Sequence, residues 1–399
     1  MTTPFPNPSP FPNQSASDAP SPDVIEPIPL LDLTAQNAPL LPAVREAFDR
    51  LFAKNAFVLG SEVEAFEQEI AASIGCAHAI GVSSGTDALI AALMALGVGQ
   101  GDEVVTTSFT FFATGGAIAR VGAKPVFVDI DPVTFNLDLG QVPAAVTEHT
   151  RAIMPVHLYG QPCDMSILRE LAGAFSIPLI EDAAQAIGAV TDYGQAGTLG
   201  AIGCFSFYPT KNLGGFGDAG LCTTDDSDLA LRLRMLRVHG SRQRYVHELV
   251  GGNFRIDSLQ AAVLRVKLPH LSGWIEARRD HASLYDLLFM ESGLSPHYVT
   301  TPKRVAAGHT YHQYVIRVPE VPGKSRDELR AFLTSRKIGT DVYYPIPLHQ
   351  QHCFESLNTG SLPETERAAR EVLALPIFAE LRIEQVERVV DTIAEFFEL

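Results

Sequence analysis

From Ala77 to about Thr224 short apolar runs alternate with stretches whose apolar residues recur every three to four positions. The runs are "HAIGVSS", "EVVTTS", "KPVFVDI", "AIMPVHLYG", "IPLIEDAA", "AIGCFSFYP" and "AGLCTTD". Strands separated by helices predict an α/β fold with a mostly parallel seven-stranded sheet between helices. In such sheets ligands gather at the carboxyl ends of the strands, so the residues just after each run are the candidates for chemistry. A helix, "LLPAVREAFDRLFAKN", precedes this region, and order is expected to begin near Ile28. After Asp225 the pattern turns helical, with a long stretch from Ile256 to Phe289 interrupted at Pro269. Strands near "YHQYVIRV" and "GTDVYYP" and helices at "SRDELRAFLTSRK" and "RIEQVERVVDTIAEFF" then predict a smaller C-terminal α+β domain. The expected division is a tail over 1–27, a large domain over 28–270 and a small one over 271–399. The tail is expected to be disordered, because its proline, serine and asparagine residues cannot bury enough apolar surface to offset ordering.

Composition narrows the class. The 399 residues are 46% apolar, enough to fill two cores. A formal charge of -16 repels nucleic acid and anionic membranes, although a local basic pocket for an anionic substrate is compatible with it. The five cysteines are scattered and lack C-x-x-C spacing, so reduced thiols are expected, with neither a disulfide framework nor a metal site. No apolar run reaches the roughly 18 residues of a membrane span, and no basic-then-apolar leader opens the chain. A cytoplasmic protein is expected.

The stretch "SFYPTKNLGGFGDAG", Ser206 to Gly220, puts Lys211 before its glycines, the reverse of a phosphate-binding P-loop. A phosphate cradle is found elsewhere: "VSSGTDAL" leaves a strand and enters a helix near Thr86, which places backbone N–H groups and small hydroxyls at the helix's positive end. The competing reading is an ordinary serine cap. Phe109, Phe111 and Phe112 follow the next strand, and one of them is suited to stack on a planar ring, or else all are core. His157 ends a further strand and is either a site residue or a satisfied structural histidine. Glu181 and Asp182 end a run that should lie deep in the sheet, where a carboxylate needs a positive partner. Gln185 follows one helical turn later. A lysine shielded near that carboxylate would lose charge and become nucleophilic. Lysine, carboxylate, phosphate cradle and aromatic together are the parts a pyridoxal 5'-phosphate site needs.

The segments "SSGTDAL", "TSFTFFAT", "VHLYG", "EDAAQAIGA", "SFYPTKNLGGFGDAG" and "GGNFRIDSLQAAVL", in this order, resemble the DegT/DnrJ/StrS family of sugar aminotransferases, which are fold-type I enzymes dependent on pyridoxal phosphate. The resemblance implies that Lys211 is the Schiff-base lysine, Asp182 the partner of the pyridinium nitrogen, and Gln185 a donor to the ring hydroxyl. It implies Gly85, Thr86 and Ser206 as phosphate ligands, Phe111 as the stacking ring, and Asn253 as a residue reaching the phosphate of a neighbouring subunit. A homodimer with shared active sites follows from that last match. The implied reaction moves an amino group from an amino acid, L-glutamate by analogy, to a nucleotide-linked keto sugar. Arg255 and Asp257 resemble the pattern of relatives acting at C3 rather than C4 of the sugar. Arg255 suits an acidic substrate group, and Tyr343, His349 and His157 are further substrate candidates. The alternatives are a 4-keto-sugar enzyme of the same family, a non-catalytic regulator on the same fold, and a nicotinamide enzyme, for which "GVSSGTDA" lacks the G-x-G-x-x-G fingerprint.

Overall fold

The computed structural model describes residues 26–399, so most of the expected tail lies outside the described residues. Seven strands build the central sheet: β1 (His78–Val82), β2 (Glu103–Thr107), β3 (Lys124–Val128), β4 (Thr150–Met154), β5 (Ile180–Asp182), β6 (Ile202–Ser206) and β7 (Gly220–Thr224). Their order is β3-β2-β4-β5-β6-β7-β1, continuous through the parallel bridges Ile153 to Leu179 and Val156 to Asp182. Only β7 opposes its neighbours, pairing antiparallel with both β6 and β1. Its direction follows from the link Phe207–Ala219, which contains no helix to carry a parallel crossover. That link is the Lys211 stretch.

The helix Gly85–Ala95 is apolar on nearly every side and lies buried on the sheet through Ala88, Leu89, Ala91, Ala92 and Leu93. A helix with no polar face can be stable only in such a place. Ser84 caps it, accepting the Asp87 backbone N–H at 3.0 Å.

The C-terminal part packs the helices Leu271–Glu291, Arg326–Ser335 and Ile383–Phe397 around an antiparallel pair, Tyr314–Arg317 with Val372–Leu375. Two expectations change here. "GTDVYYP" is not a strand, since its only pairing is the single bridge from Asp341 to Ala374. Ile28, expected within the large domain, instead joins the C-terminal core: its N–H donates to Lys337 and its carbonyl accepts from Gly339, at 2.9 and 2.8 Å. Of the cysteines, Cys163, Cys204 and Cys222 are buried, Cys76 is partly exposed and Cys353 is exposed; all are free thiols. Among the described residues no helix is long and apolar enough to cross a membrane.

Candidate functional site

At the carboxyl end of β1 the chain turns directly into the helix Gly85–Ala95. The hydroxyls of Ser83 and Ser84 are spent on Asp87, at 2.6 and 3.0 Å. The backbone N–H groups of Gly85 and Thr86 have no partner among the described residues, and they mark the helix's positive end. Ser206, at the end of β6, faces them so closely that a Cβ on Gly85 would lie 2.6 Å from Ser206 Cβ and 3.1 Å from its Oγ. A Cβ on Gly220 would meet the Ser84 carbonyl at 2.3 Å. The glycines thus hold open a cradle of two free amides and one hydroxyl.

Asp182 ends β5 and is buried. Its Oδ2 accepts the Thr114 hydroxyl at 2.7 Å and its Oδ1 the Ala184 N–H at 3.2 Å. Burial raises its pKa, while these donors and the charge of Lys211 draw it back. The Lys211 amine meets the complementary pressure. Desolvation lowers its pKa to about 8, against the pull of Asp182, and it makes no hydrogen bond or ion pair among the described residues. A carboxylate and a reactive amine therefore lie within electrostatic reach across the ends of β5 and β6.

Gln185 is held at both ends: its Oε1 accepts the Tyr159 N–H at 2.7 Å and its Nε2 donates to the Tyr344 hydroxyl at 3.1 Å. One Nε2 hydrogen remains for a ligand. Of the three phenylalanines, Phe109 is core and Phe112 stacks on Phe354 at 5.8 Å. Phe111 is left 57% exposed, its ring 6.2 Å from that of Tyr344.

Three weaker candidates are corrected. His157 is fully buried; its Nδ1 accepts the Cys163 N–H at 3.0 Å, which leaves the proton on Nε2 for Glu181 at 2.9 Å. No ring atom remains for a substrate. His349 accepts from Ser108 Oγ at 2.7 Å and donates to Glu366 at 3.3 Å, so it ties two elements together. Tyr343 turns its hydroxyl toward Asp341 and Gln313, and its neighbour Tyr344 stands by Gln185 instead. Asn253 is exposed and Arg255 partly exposed, on a segment paired with β1 through the bridge from Val82 to Arg255.

Sequence reasoning missed Thr114, Tyr344 and Gln260. Gln260 Oε1 accepts the Phe216 N–H at 2.8 Å, and Cβ atoms on Gly215 and Gly217 would lie 2.8 and 3.1 Å from its amide. A Cβ on Gly214 would meet the Pro209 carbonyl at 2.3 Å. The glycines after Lys211 therefore have separate tasks, folding the loop on itself and clasping it to Gln260. The signal was a polar residue within an otherwise apolar "LQAAVL" run. A hollow of about 1050 Å³, bordered by Asp131, Asp138, Asp164 and Tyr193, includes none of these residues. Its first three acids are spent on local backbone amides.

A lysine, a buried carboxylate and an anion cradle on the carboxyl edge of an α/β sheet define a pyridoxal-phosphate type of site. The family model for the DegT/DnrJ/EryC1/StrS aminotransferase family matches residues 42–394, and the chain belongs to that family. It is 52% identical over 373 residues to a pleiotropic regulatory protein of Geobacillus stearothermophilus, covering 93% of this chain and 98% of the relative. Over another 373 residues it is 42% identical to the UDP-N-acetyl-3-dehydro-alpha-D-glucosamine 3-aminotransferase of Acidithiobacillus ferrooxidans, covering 92% and 97%. The crystal structure of S. venezuelae DesV in complex with a ketimine intermediate aligns with a TM-score of 0.87 at 42% identity, covering 94% of this chain and 99% of that one. The protein is an aminotransferase, and pyridoxal phosphate is its cofactor.

Proposed function

We propose that this enzyme transfers an amino group from an amino acid, L-glutamate as the first candidate, to C3 of a nucleotide-linked keto sugar. The observation that carries the reading is the Lys211 amine, lowered to about 8 and opposite Asp182, beside a cradle that admits no side chain at Gly85. The residues fit the cofactor. The amides of Gly85 and Thr86 with Ser206 would hold its phosphate, Phe111 would cover its ring, Gln185 would donate to its hydroxyl, and Lys211 would bind it covalently through Nζ. Bound there, pyridoxal phosphate supplies an electron sink next to the reacting carbon. Asp182 keeps a proton on the ring nitrogen, which its burial and its bond from Thr114 orient it to do. Lys211 Nζ, once free, would take the donor's α-proton and give it back at the carbon on the far side of the transferred nitrogen.

The C3 assignment rests on Arg255 and Asp257 and on the 3-aminotransferase relative. Asp257 is exposed and caps no helix amide, so its carboxylate is available to a substrate. Asn253, also exposed, fits the phosphate of a second copy in a homodimer. A regulator without chemistry, the activity suggested by the name of the Geobacillus relative, would not need Lys211, Asp182, Gln185 and Ser206 together.

The test is the absorbance spectrum of the purified protein before and after L-glutamate. A band near the visible edge that L-glutamate removes is expected, and Lys211→Ala should lack it. A band unmoved by any amino acid would support the regulator. UDP- and dTDP-linked 3-keto and 4-keto sugars, added after the donor, should restore the band for the 3-keto compounds alone.

A further inference from the structure

The helix Leu271–Glu291 carries an arginine that the site described above does not use. Arg278 is 1% exposed, and the carbonyls of Tyr311, His312 and Ile377 share its Nη1 hydrogens at 3.2, 3.3 and 2.9 Å. Those bonds satisfy one nitrogen only. Nε and Nη2, which form one edge of the guanidinium, have no partner among the described residues. Glu380 attracts the charge but forms no ion pair with it, and its own Oε2 is likewise unpartnered. Burial lowers the pKa of Arg278 to about 10, so the group is charged at neutral pH. A buried cation with an empty edge is costly unless something meets it.

Arg278 borders a hollow of about 130 Å³ together with Leu31, Thr210, His312, Gln313 and Ile377. Thr210 is the residue before Lys211. On the other side of the lysine, Asn212 gives its Nδ2 to the Thr310 carbonyl, so its Oδ1 accepts from His312 Nδ1 at 3.3 Å. Burial, then the charges of Lys211 and Arg278, push the pKa of His312 well below 6.5. A neutral ring thus stands within reach of both cations. Gln313 Oε1 is a further buried atom without a partner. The hollow has room for about four water molecules, which suffices for a carboxylate group and is too little for a nucleotide. Transamination brings such a group here, since every α-amino acid carries a carboxylate beside the amine that it gives up. Of the other cations, Lys211 is committed to the cofactor and Arg255 lies partly exposed beside β1. The two N–H groups on one guanidinium edge are spaced to meet both oxygens of a carboxylate.

We propose that the free edge of Arg278 takes the α-carboxylate of the amino donor, in the hollow beside Lys211. The inference rests on the transamination reading and is independent of which sugar receives the nitrogen. It also limits the donors: an amine without an α-carboxylate leaves the edge empty and is a poor substrate, whatever its other end carries.

Titration of the cofactor-loaded enzyme with L-glutamate, followed at the cofactor band, tests it. 4-Aminobutyrate, which is L-glutamate without its α-carboxylate, should leave the band in place where L-glutamate removes it. Arg278→Lys keeps the charge and loses the fork, and should raise the half-maximal L-glutamate concentration about ten- to a hundredfold. Because Arg278 also holds three carbonyls, a second pair of variants guards against a folding defect. Thr210 is exposed, and Thr210→Glu should need about tenfold more L-glutamate than Thr210→Gln, since only the former sets a like charge at the hollow. Calorimetry of 2-oxoglutarate, which has both carboxylates and no amine to transfer, should show the same order of affinities without turnover. Removal of the band by 4-aminobutyrate as readily as by L-glutamate overturns the proposal. So does equal affinity of Thr210→Glu and Thr210→Gln, or unchanged affinity in a loaded Arg278→Lys. A wild-type band that no amino acid removes is a failure of the transamination reading, seen before any variant is made, and the subsite falls with it.

Discussion

Lys211 is a cation kept in a place that disfavours its charge, and this sets two pH dependences. Its pKa falls from 10.5 to about 8 because desolvation outweighs the attraction of Asp182. Only the neutral amine is nucleophilic, so uptake of pyridoxal phosphate by cofactor-free protein should accelerate as pH rises through about 8 and then level off. Stopped-flow absorbance across that range measures it, and a flat profile would contradict the assignment. Stability has the same sign. Between the folded value and 10.5 the unfolded chain binds more protons, so this group's contribution to stability rises with pH there. Cofactor-free Lys211→Met should accordingly unfold at higher urea than wild type at pH 7, by a margin that shrinks above pH 8. Glu181, the other acid of the same strand end, is the contrast. Its carboxylate accepts the N–H groups of Gly197, Leu199 and Gly200 at 2.6 to 2.7 Å, besides the His157 proton. Glu181→Ala leaves those donors buried and should cost about 3 to 5 kcal/mol by urea unfolding. The sequence marks Glu181 and Asp182 alike as buried carboxylates, and only the fold tells the site residue from the staple.

At the scale of elements, the loop after Lys211 depends on a fit between glycines and one amide. Gly214→Ala drives a Cβ into the Pro209 carbonyl, a backbone clash that the loop cannot relieve by turning a side chain. Gln260→Ala removes the bond to Phe216 and should cost about 1 kcal/mol. Gly215→Ala should cost about as much, because its Cβ pushes the flexible Gln260 amide off Phe216, and in the Gln260→Ala background that obstruction is gone. A double-mutant cycle by urea unfolding should therefore show the pair costing less than the sum of the singles. Strict additivity would mean that the clasp is not formed. What was legible at this scale was what is local: apolar runs with period two or near 3.6 named the sheet strands and the buried helix at Gly85. Pairing is not local. Nothing in "AGLCTTD" says that β7 runs against its neighbours, and "GTDVYYP" has strand composition without a partner for more than one residue. Likewise Ile28 looks like the start of the first domain and finds its hydrogen bonds at residues 337 and 339.

The whole molecule sets the remaining question, which is where one active site ends. Every residue proposed to hold the cofactor acts within its own chain except Asn253, whose side chain is exposed and bonds to no described residue. Its proposed role comes only from the resemblance, since spacing along one chain carries no information about a contact made between two. If two copies share their sites, each site combines Lys211 of one copy with Asn253 of the other. Lys211→Ala homodimers should then be inactive, and Asn253→Ala homodimers weakened about ten- to a hundredfold by loss of a phosphate contact. Mixing the two variants, with exchange of subunits, creates hybrids in which one site carries both substitutions and the other carries neither. Random exchange makes about half of the dimers hybrid, so activity should recover to about a quarter of wild type, far above either parent. Were each site complete within one copy, mixing would give only the average of the parents, and the assay of transamination against mixing ratio would fall on a straight line between them.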